Sequence, residues 1–307
     1  MAKYSLHQSK EPLTFDEAVE HFLTHRRIEG LAESSLRFYK DTFRYISTHG
    51  FPTDIANCTT AQVELFISKL LQNGMKPVTL NGKLRALKAL FRFCTSKYLI
   101  QKNPMVSIKF LKHEKHIIRT LEPDHISRLL HECADGTFVG VRDHAIILLL
   151  LDTGARASEI LGLQMSDFHV EEKYAIVMGK GRKARRIYFS EQTSKAISLY
   201  LQERGKLKHD SLFIAESNDP LSIRSLQDRL RDLGIRANIQ GVRVSPHTFR
   251  HTMAKFYIKN GGDIFTLQKL LGHTTLEMVR NYVEMFGEDV SEAHDRFSPV
   301  KLLNTKF

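Results

Sequence analysis

Asn103-Pro104, followed by a polar and basic run from Lys109 to Lys115, divides this 307-residue chain in two. Proline cannot continue a preceding helix and pushes the residue before it out of the α region, so the apolar patterns on either side belong to separate cores. Before the break, apolar residues recur at helical spacing four times. Phe15, Val19, Phe22 and Leu23 follow Thr14-x-x-Glu17, the spacing of a capping box. Leu36, Tyr39, Phe43 and Ile46 mark a second helix, and Val63, Phe66, Ile67, Leu70 and Leu71 a third after Thr59. The fourth runs from about Pro77 to Ile100 and carries Leu80, Leu84, Leu87, Leu90, Phe91 and Cys94 on one side. After residue 119 the pattern becomes helices with one small sheet. Tyr174-Ala-Ile-Val-Met178 and Arg185-Arg-Ile-Tyr-Phe189 are short β-rich runs joined by a hairpin loop, Gly179-Lys-Gly-Arg-Lys-Ala184. The expected class is mainly α with a small β-sheet. A helical domain is expected over residues 1–105, a linker over 106–118 and an α+β domain over 119–307.

Charge points to the partner. The net charge is +11, which favours a polyanion, and it is unevenly spread. Residues 1–118 hold 18 Lys and Arg against 10 Asp and Glu, whereas residues 119–307 hold 27 against 24. Within the first part, Arg37, Lys40 and Arg44 form one basic helical stripe and Arg85, Lys88 and Arg92 another. A single such stripe reads as a solvated helix face. Two in one basic domain read as contacts to DNA phosphates and grooves. In the hairpin, five of the seven residues from Lys180 to Arg186 are basic, which adds Arg182 and Lys183 as DNA contacts.

Cys58, Cys94 and Cys133 lack metal-ligand spacing, and their odd number speaks against a disulfide scaffold. No metal or other cofactor is expected, and a reduced cytosol is the simplest compartment. The start of the chain has no apolar signal segment, and the longest apolar run, Ala145 to Leu151, is too short to span a bilayer and reads as a buried helix.

Chemistry is concentrated in the second part: Arg156, Lys180, His247-Thr-Phe-Arg250, Leu-Gly-His273 and Tyr282. A phenol, with a pKa of about 10, is a poor nucleophile until its proton is removed and the phosphate it attacks is neutralised. Two guanidiniums suit the second task because each matches a pair of phosphate oxygens. Taken singly, Arg156 reads as an anchor for Glu159, His247 as a helix cap beside Pro246, His273 as a helix-end histidine and Tyr282 as a half-buried core tyrosine. Their joint order favours breaking and remaking a phosphodiester without metal or nucleotide.

That order resembles the tyrosine recombinase (phage-integrase) family, and its short Xer-type members in particular. The matching segments are Thr153-Gly-Ala-Arg-Ala-Ser-Glu159, Gly179-Lys-Gly-Arg-Lys183, His247-Thr-Phe-Arg-His251 and Leu271-Gly-His273 through Tyr282. Ala155 departs from the more usual Leu before the arginine. The resemblance implies a SAM-like helical core-binding domain that clamps DNA opposite the catalytic domain. It implies catalysis by Arg156, Lys180, His247, Arg250, His273 and Tyr282, with Glu159 behind them orienting a cation and Asp152 a weaker candidate for that role. Tyr282 is then the nucleophile, forming a 3′-phosphotyrosine; His247 or His273 assists its proton loss, and Lys180 protonates the leaving 5′ oxygen. His251 reads as structural, with a supporting role for Arg250. Strand exchange through a four-way junction implies a homotetramer on two DNA sites, with a related recombinase as a possible partner. The tail after Glu284 carries Phe297, Val300, Leu302, Leu303 and Phe307, which suit docking on a neighbouring subunit or on the chain's own domain. A type IB topoisomerase and a non-catalytic DNA-binding relative are the rival readings. The segment before Phe15 is too short for a separate arm-site domain.

Overall fold

The computed structural model describes residues 13–112, 118–179, 183–272 and 275–286, together with His294, Ser298 and Val300. The chain forms two compact units, Met1–His116 and Ile117–Phe307.

Among the described residues the first unit contains helices α1 (Phe15–Ile28), α2 (Glu33–Thr48), α3 (Thr60–Gln72) and α4 (Pro77–Ser96). Thr14 and Glu17 form the expected capping box, the Thr14 amide donating to Glu17 Oε2 at 2.9 Å and the Glu17 amide to Thr14 Oγ1 at 3.3 Å. Thr59 and Gln62 do the same for α3. The predicted apolar faces close one core, in which Phe22 meets Phe43 edge-on at 5.7 Å and Leu80, Leu84, Leu87 and Leu90 are fully buried. Helix α4 stops at Ser96, short of the expected Ile100. Tyr98 takes a left-handed φ of +57°, and the Leu99 amide turns back to the Cys94 carbonyl at 2.9 Å.

The segment read as a linker is bound to this unit as far as Leu111. Asn81, buried on α4, donates to the Leu111 carbonyl at 2.9 Å and accepts its amide at 2.8 Å, while Ile108 is buried in the core. Both backbone polar groups of Leu111 are thereby satisfied by one side chain.

The second unit contains α5 (Pro123–Glu132), α6 (Phe138–Thr153) and α7 (Ala157–Leu161). A three-stranded antiparallel sheet follows, in the order β1 (Phe168–His169), β2 (Tyr174–Met178), β3 (Ala184–Tyr188). Then come α8 (Glu191–Arg204), α9 (Ile223–Arg236), α10 (Pro246–Lys259), α11 (Ile264–Leu271) and α12 (Glu277–Phe286). Strand β1 has two residues, too few to show a period. Helix α6, apolar nearly all round, is the buried helix expected at Ala145 to Leu151, and it packs against α8 and α10. Among the described residues no helix is long and apolar enough to cross a membrane. Met253, Ala254, Leu267, Leu271, Val279 and Tyr282 form a smaller core where α10, α11 and α12 meet. That core fixes the position of Tyr282.

Candidate active site

Two helix ends organise the site. Helix α6 closes at Gly154 (φ +60°) and α11 at Gly272 (φ +61°), both left-handed caps that suit glycine. Each leaves carbonyl oxygens without helical partners at the negative end of a helix dipole. Arg250, on α10, bridges them: Nη1 donates to the Gly154 carbonyl and Nη2 to the Leu271 carbonyl, both at 2.7 Å. Arg250 is buried, only 5% exposed. Burial, and after it the charge of Arg156, pulls its pKa down to about 10, so it remains cationic at neutral pH.

Arg156 stands just before α7, with its side chain one-third exposed. Its Nη1 donates to Glu159 Oε1 at 3.0 Å and its amide to Glu159 Oε2 at 2.8 Å. Glu159 is buried and also receives both Nη atoms of Arg185, at 2.9 and 3.1 Å. Burial pushes the Glu159 carboxyl up, but the hydrogen bonds from Arg185 and the Arg156 amide, with both guanidinium charges, leave it below the ordinary value. One carboxylate therefore ties the start of α7 to strand β3. Arg185 was not singled out from the sequence, although its place offers a signal. Val177 pairs with Arg185 and Ala175 with Ile187 across the hairpin, so Arg185 occupies an inward row beside Val177, Ala175 and Ile187. An arginine on such a row calls for a buried carboxylate.

Arg156, His247, Arg250 and the first residues of α10 line a cleft of about 210 Å³. Ser245 caps this 14-residue helix and Pro246 opens it, so its free N–H groups and positive dipole end favour an anion beside the two arginines. His247 is exposed in the cleft wall and the cap is Ser245, so the capping role considered for His247 falls to its neighbour.

Tyr282 is 5% exposed and lies outside that lining. Its hydroxyl is 2.7 Å from His251 Nδ1. Burial raises the phenol pKa, and the Arg250 charge opposes this in part. His251, read as a support for Arg250, is thus found at the phenol. Asp152 is not at the site: it braces the start of α8, accepting from the amide of the cap residue Ser190 at 2.6 Å and from Thr193 Oγ1 at 2.7 Å. Lys180, Arg182 and His273 lie outside the described residues.

In the first unit, Arg37, Lys40, Arg44, Arg85 and Arg92 are exposed, and so is Lys183 on the hairpin of the second unit. Lys88 differs: its Nζ donates to the Met105 carbonyl at 2.8 Å and lies 5.7 Å from the centre of the Phe110 ring. All three thiols are pushed up by burial, Cys58 and Cys94 to about 11 and Cys133 to about 12, which leaves them inert at neutral pH.

A cleft with two guanidiniums, a histidine and a helix N-terminus, backed by a buried phenol, has the form of a phosphoryl-transfer centre. Comparison with known proteins gives the class. The phage integrase family matches residues 119–288, and the phage integrase N-terminal SAM-like domain matches residues 19–97. The chain therefore belongs to the phage integrase family, whose tyrosine recombinases cleave and rejoin DNA. It is similar to tyrosine recombinase XerD of Halalkalibacterium halodurans, with 26% identity over 296 residues, 93% of this chain and 99% of that protein. It is 29% identical to tyrosine recombinase XerC of Syntrophus aciditrophicus over 264 residues, 82% of this chain and 85% of that protein. The fold matches the XerH site-specific recombinase bound to a palindromic difH substrate with a TM-score of 0.76 at 17% identity, over 98% of this chain and 100% of that one. It also matches the Tn1549 transposon integrase in complex with a circular intermediate DNA, with a TM-score of 0.77 at 19% identity, over 95% and 100% of the two chains.

Proposed function

We propose that this chain is a site-specific recombinase in which Tyr282 attacks a DNA phosphodiester, forming a 3′-phosphotyrosine and freeing a 5′ hydroxyl. The observation that carries this reading is the convergence of Arg156, Arg250 and His247 on one anion-sized cleft at the start of α10, close to a buried tyrosine. Arg250 is held by two carbonyls, which aims it without neutralising it, since carbonyl dipoles carry no net charge to cancel its own. Glu159 orients Arg156 and keeps Arg185 beside it. Lys180 is assigned the proton for the departing 5′ oxygen, and His273 a contact to the phosphate. The phosphotyrosine retains the bond energy, so a 5′ hydroxyl from a second strand reverses the step with exchanged partners and no nucleotide is consumed.

The exposed cations Arg37, Lys40, Arg44, Arg85, Arg92 and Lys183 are assigned to the DNA backbone, with Arg182. Two strand exchanges need four sites, which supports a homotetramer on two duplexes, acting in the cytoplasm on chromosomal or mobile DNA. The likeness to XerH and to the Tn1549 integrase, each solved in complex with DNA, supports the DNA partner. The test begins with a duplex site selected by this chain from a randomised pool. Nicked next to the cleavage position, that duplex should trap a covalent adduct on Tyr282, and two such sites should yield recombinant strands. Relaxation of plasmid lacking the site, without strand exchange, would favour a topoisomerase.

A further inference from the structure

Among the described residues, the histidine at the phenol is His251 rather than His247. His251 lies one residue after Arg250, on the same helix, and its Nδ1 is 2.7 Å from the Tyr282 hydroxyl. The two rings are 5.5 Å apart, tilted at 54°. His247, the histidine of the cleft wall, is exposed and lines the cleft with Arg156 and Arg250. Resting on the function proposed above, we infer that His251 receives the Tyr282 proton during strand cleavage and returns it during rejoining.

Chemistry separates this role from a merely structural contact. A neutral imidazole with its proton on Nε2 presents the Nδ1 lone pair to the phenol, and accepting the O–H engages the proton while leaving the oxygen's own lone pairs for phosphorus. His251 is kept neutral by burial first, and then by the charges of His247 and Arg250 on its own helix; among the described residues, Tyr282 on α12 is the titratable group facing it. Phenol and imidazole differ in acidity by more than about three orders of magnitude in water. Burial moves Tyr282 up and His251 down, which widens that gap. The resting pair is therefore neutral, and the proton moves only as the new bond forms. As Oη bonds to phosphorus, the O–H proton passes to Nδ1 and gives an imidazolium; the P–O5′ bond breaks, and the 5′ oxygen leaves with a proton from the cationic acid assigned to Lys180. In rejoining, the 5′ hydroxyl attacks, its proton goes to that acid, and His251 reprotonates the departing phenolate.

Substitution of His251 tests this. Asparagine can place its side-chain oxygen near the Nδ1 position, where it accepts the phenol hydrogen bond but takes no proton; alanine removes both. Adduct formation in a single turnover on the selected, nicked duplex should fall about 10²-fold or more in His251→Asn and in His251→Ala, with DNA affinity unchanged. Both defects should narrow between pH 7 and pH 9.5, as hydroxide replaces the imidazole, and neither should be relieved by a substrate with sulfur at the 5′ leaving position. A His251→Asn protein that cleaves at the wild-type rate would overturn the inference, because the hydrogen bond would then only position Tyr282. Relief by the sulfur substrate would also overturn it by placing the histidine on the leaving group. An absence of any Tyr282 adduct in the wild-type chain would instead sink the proposed function.

Discussion

Arg250 donates to the carbonyl oxygen of Gly154 at 2.7 Å, so a side chain that faces an anion cleft is held by the last turn of the most buried helix in its unit. The core and the reaction centre thereby share a joint at Gly154. A Cβ there would meet Leu271 Cδ2 at 2.8 Å and Met253 Sδ at 3.2 Å, on a backbone with φ +60°. Left-handed backbone alone costs an L-residue about 1–2 kcal/mol. Gly154→Ala should therefore lower the unfolding midpoint of the second unit by roughly 2–8 °C, at about 2–4 °C per kcal/mol, read by calorimetry. Cleavage should fall more steeply than DNA binding, because the displaced carbonyl is one that aims Arg250.

Arg250→Lys keeps a positive charge but cannot reach two carbonyls and a phosphate in one plane. Loss of a preorganised donor costs roughly 10²–10³-fold in rate. Adduct formation should fall by that amount while site affinity changes little, measured by single-turnover cleavage beside gel shift. Equal losses of both would mark Arg250 as an ordinary phosphate contact.

Stability should respond to pH in two separate windows. His251 and His144 both have pKa values depressed by burial below 6.5, so between the folded and unfolded values the unfolded chain binds more protons. Their contribution is present above pH 6.5 and is lost as pH falls through the folded values. Glu159 is also depressed, from 4.5, and its contribution is lost only as pH falls further. Urea denaturation across pH 7.5 to 3 should show both declines, and His251→Asn should flatten the upper one alone.

The basic stripes differ in what they can give to DNA. Arg85 and Arg92 are exposed, whereas the Lys88 ammonium is already engaged by the Met105 carbonyl. Arg85→Ala and Arg92→Ala should each reduce the slope of log K against log salt by about one. Lys88→Ala should leave that slope nearly unchanged and lower the stability of the first unit.

Much of the fold is legible in the sequence because its signals are local. Thr14-x-x-Glu17 announces the start of α1, and the apolar spacings of α2, α3 and α4 are those of single faces packed on one core. The end of α4 is not legible. It depends on a left-handed Tyr98, a conformation that composition does not announce. Asn81 and Leu111 show the same limit at longer range, since a polar residue on α4 gives no hint that its partner is a backbone thirty residues away. In the site, motif order brings forward Arg156, Arg250 and Tyr282. The Glu159–Arg185 pair needs the strand register, and the contact of His251 with Tyr282 needs the packing of α12 on α10. Both are tertiary facts.

Tyr282 should supply the attacking oxygen to a phosphate held by Arg250 and Arg156 in the cleft beside it. Peptide mapping of the trapped adduct from a nicked, selected duplex identifies the attacking residue, with wild type and Tyr282→Phe run side by side. Nucleotide mass is expected on the peptide containing Tyr282 in wild type, and in Tyr282→Phe normal DNA binding with no adduct. An adduct that survives in Tyr282→Phe, or maps to another residue, would contradict it.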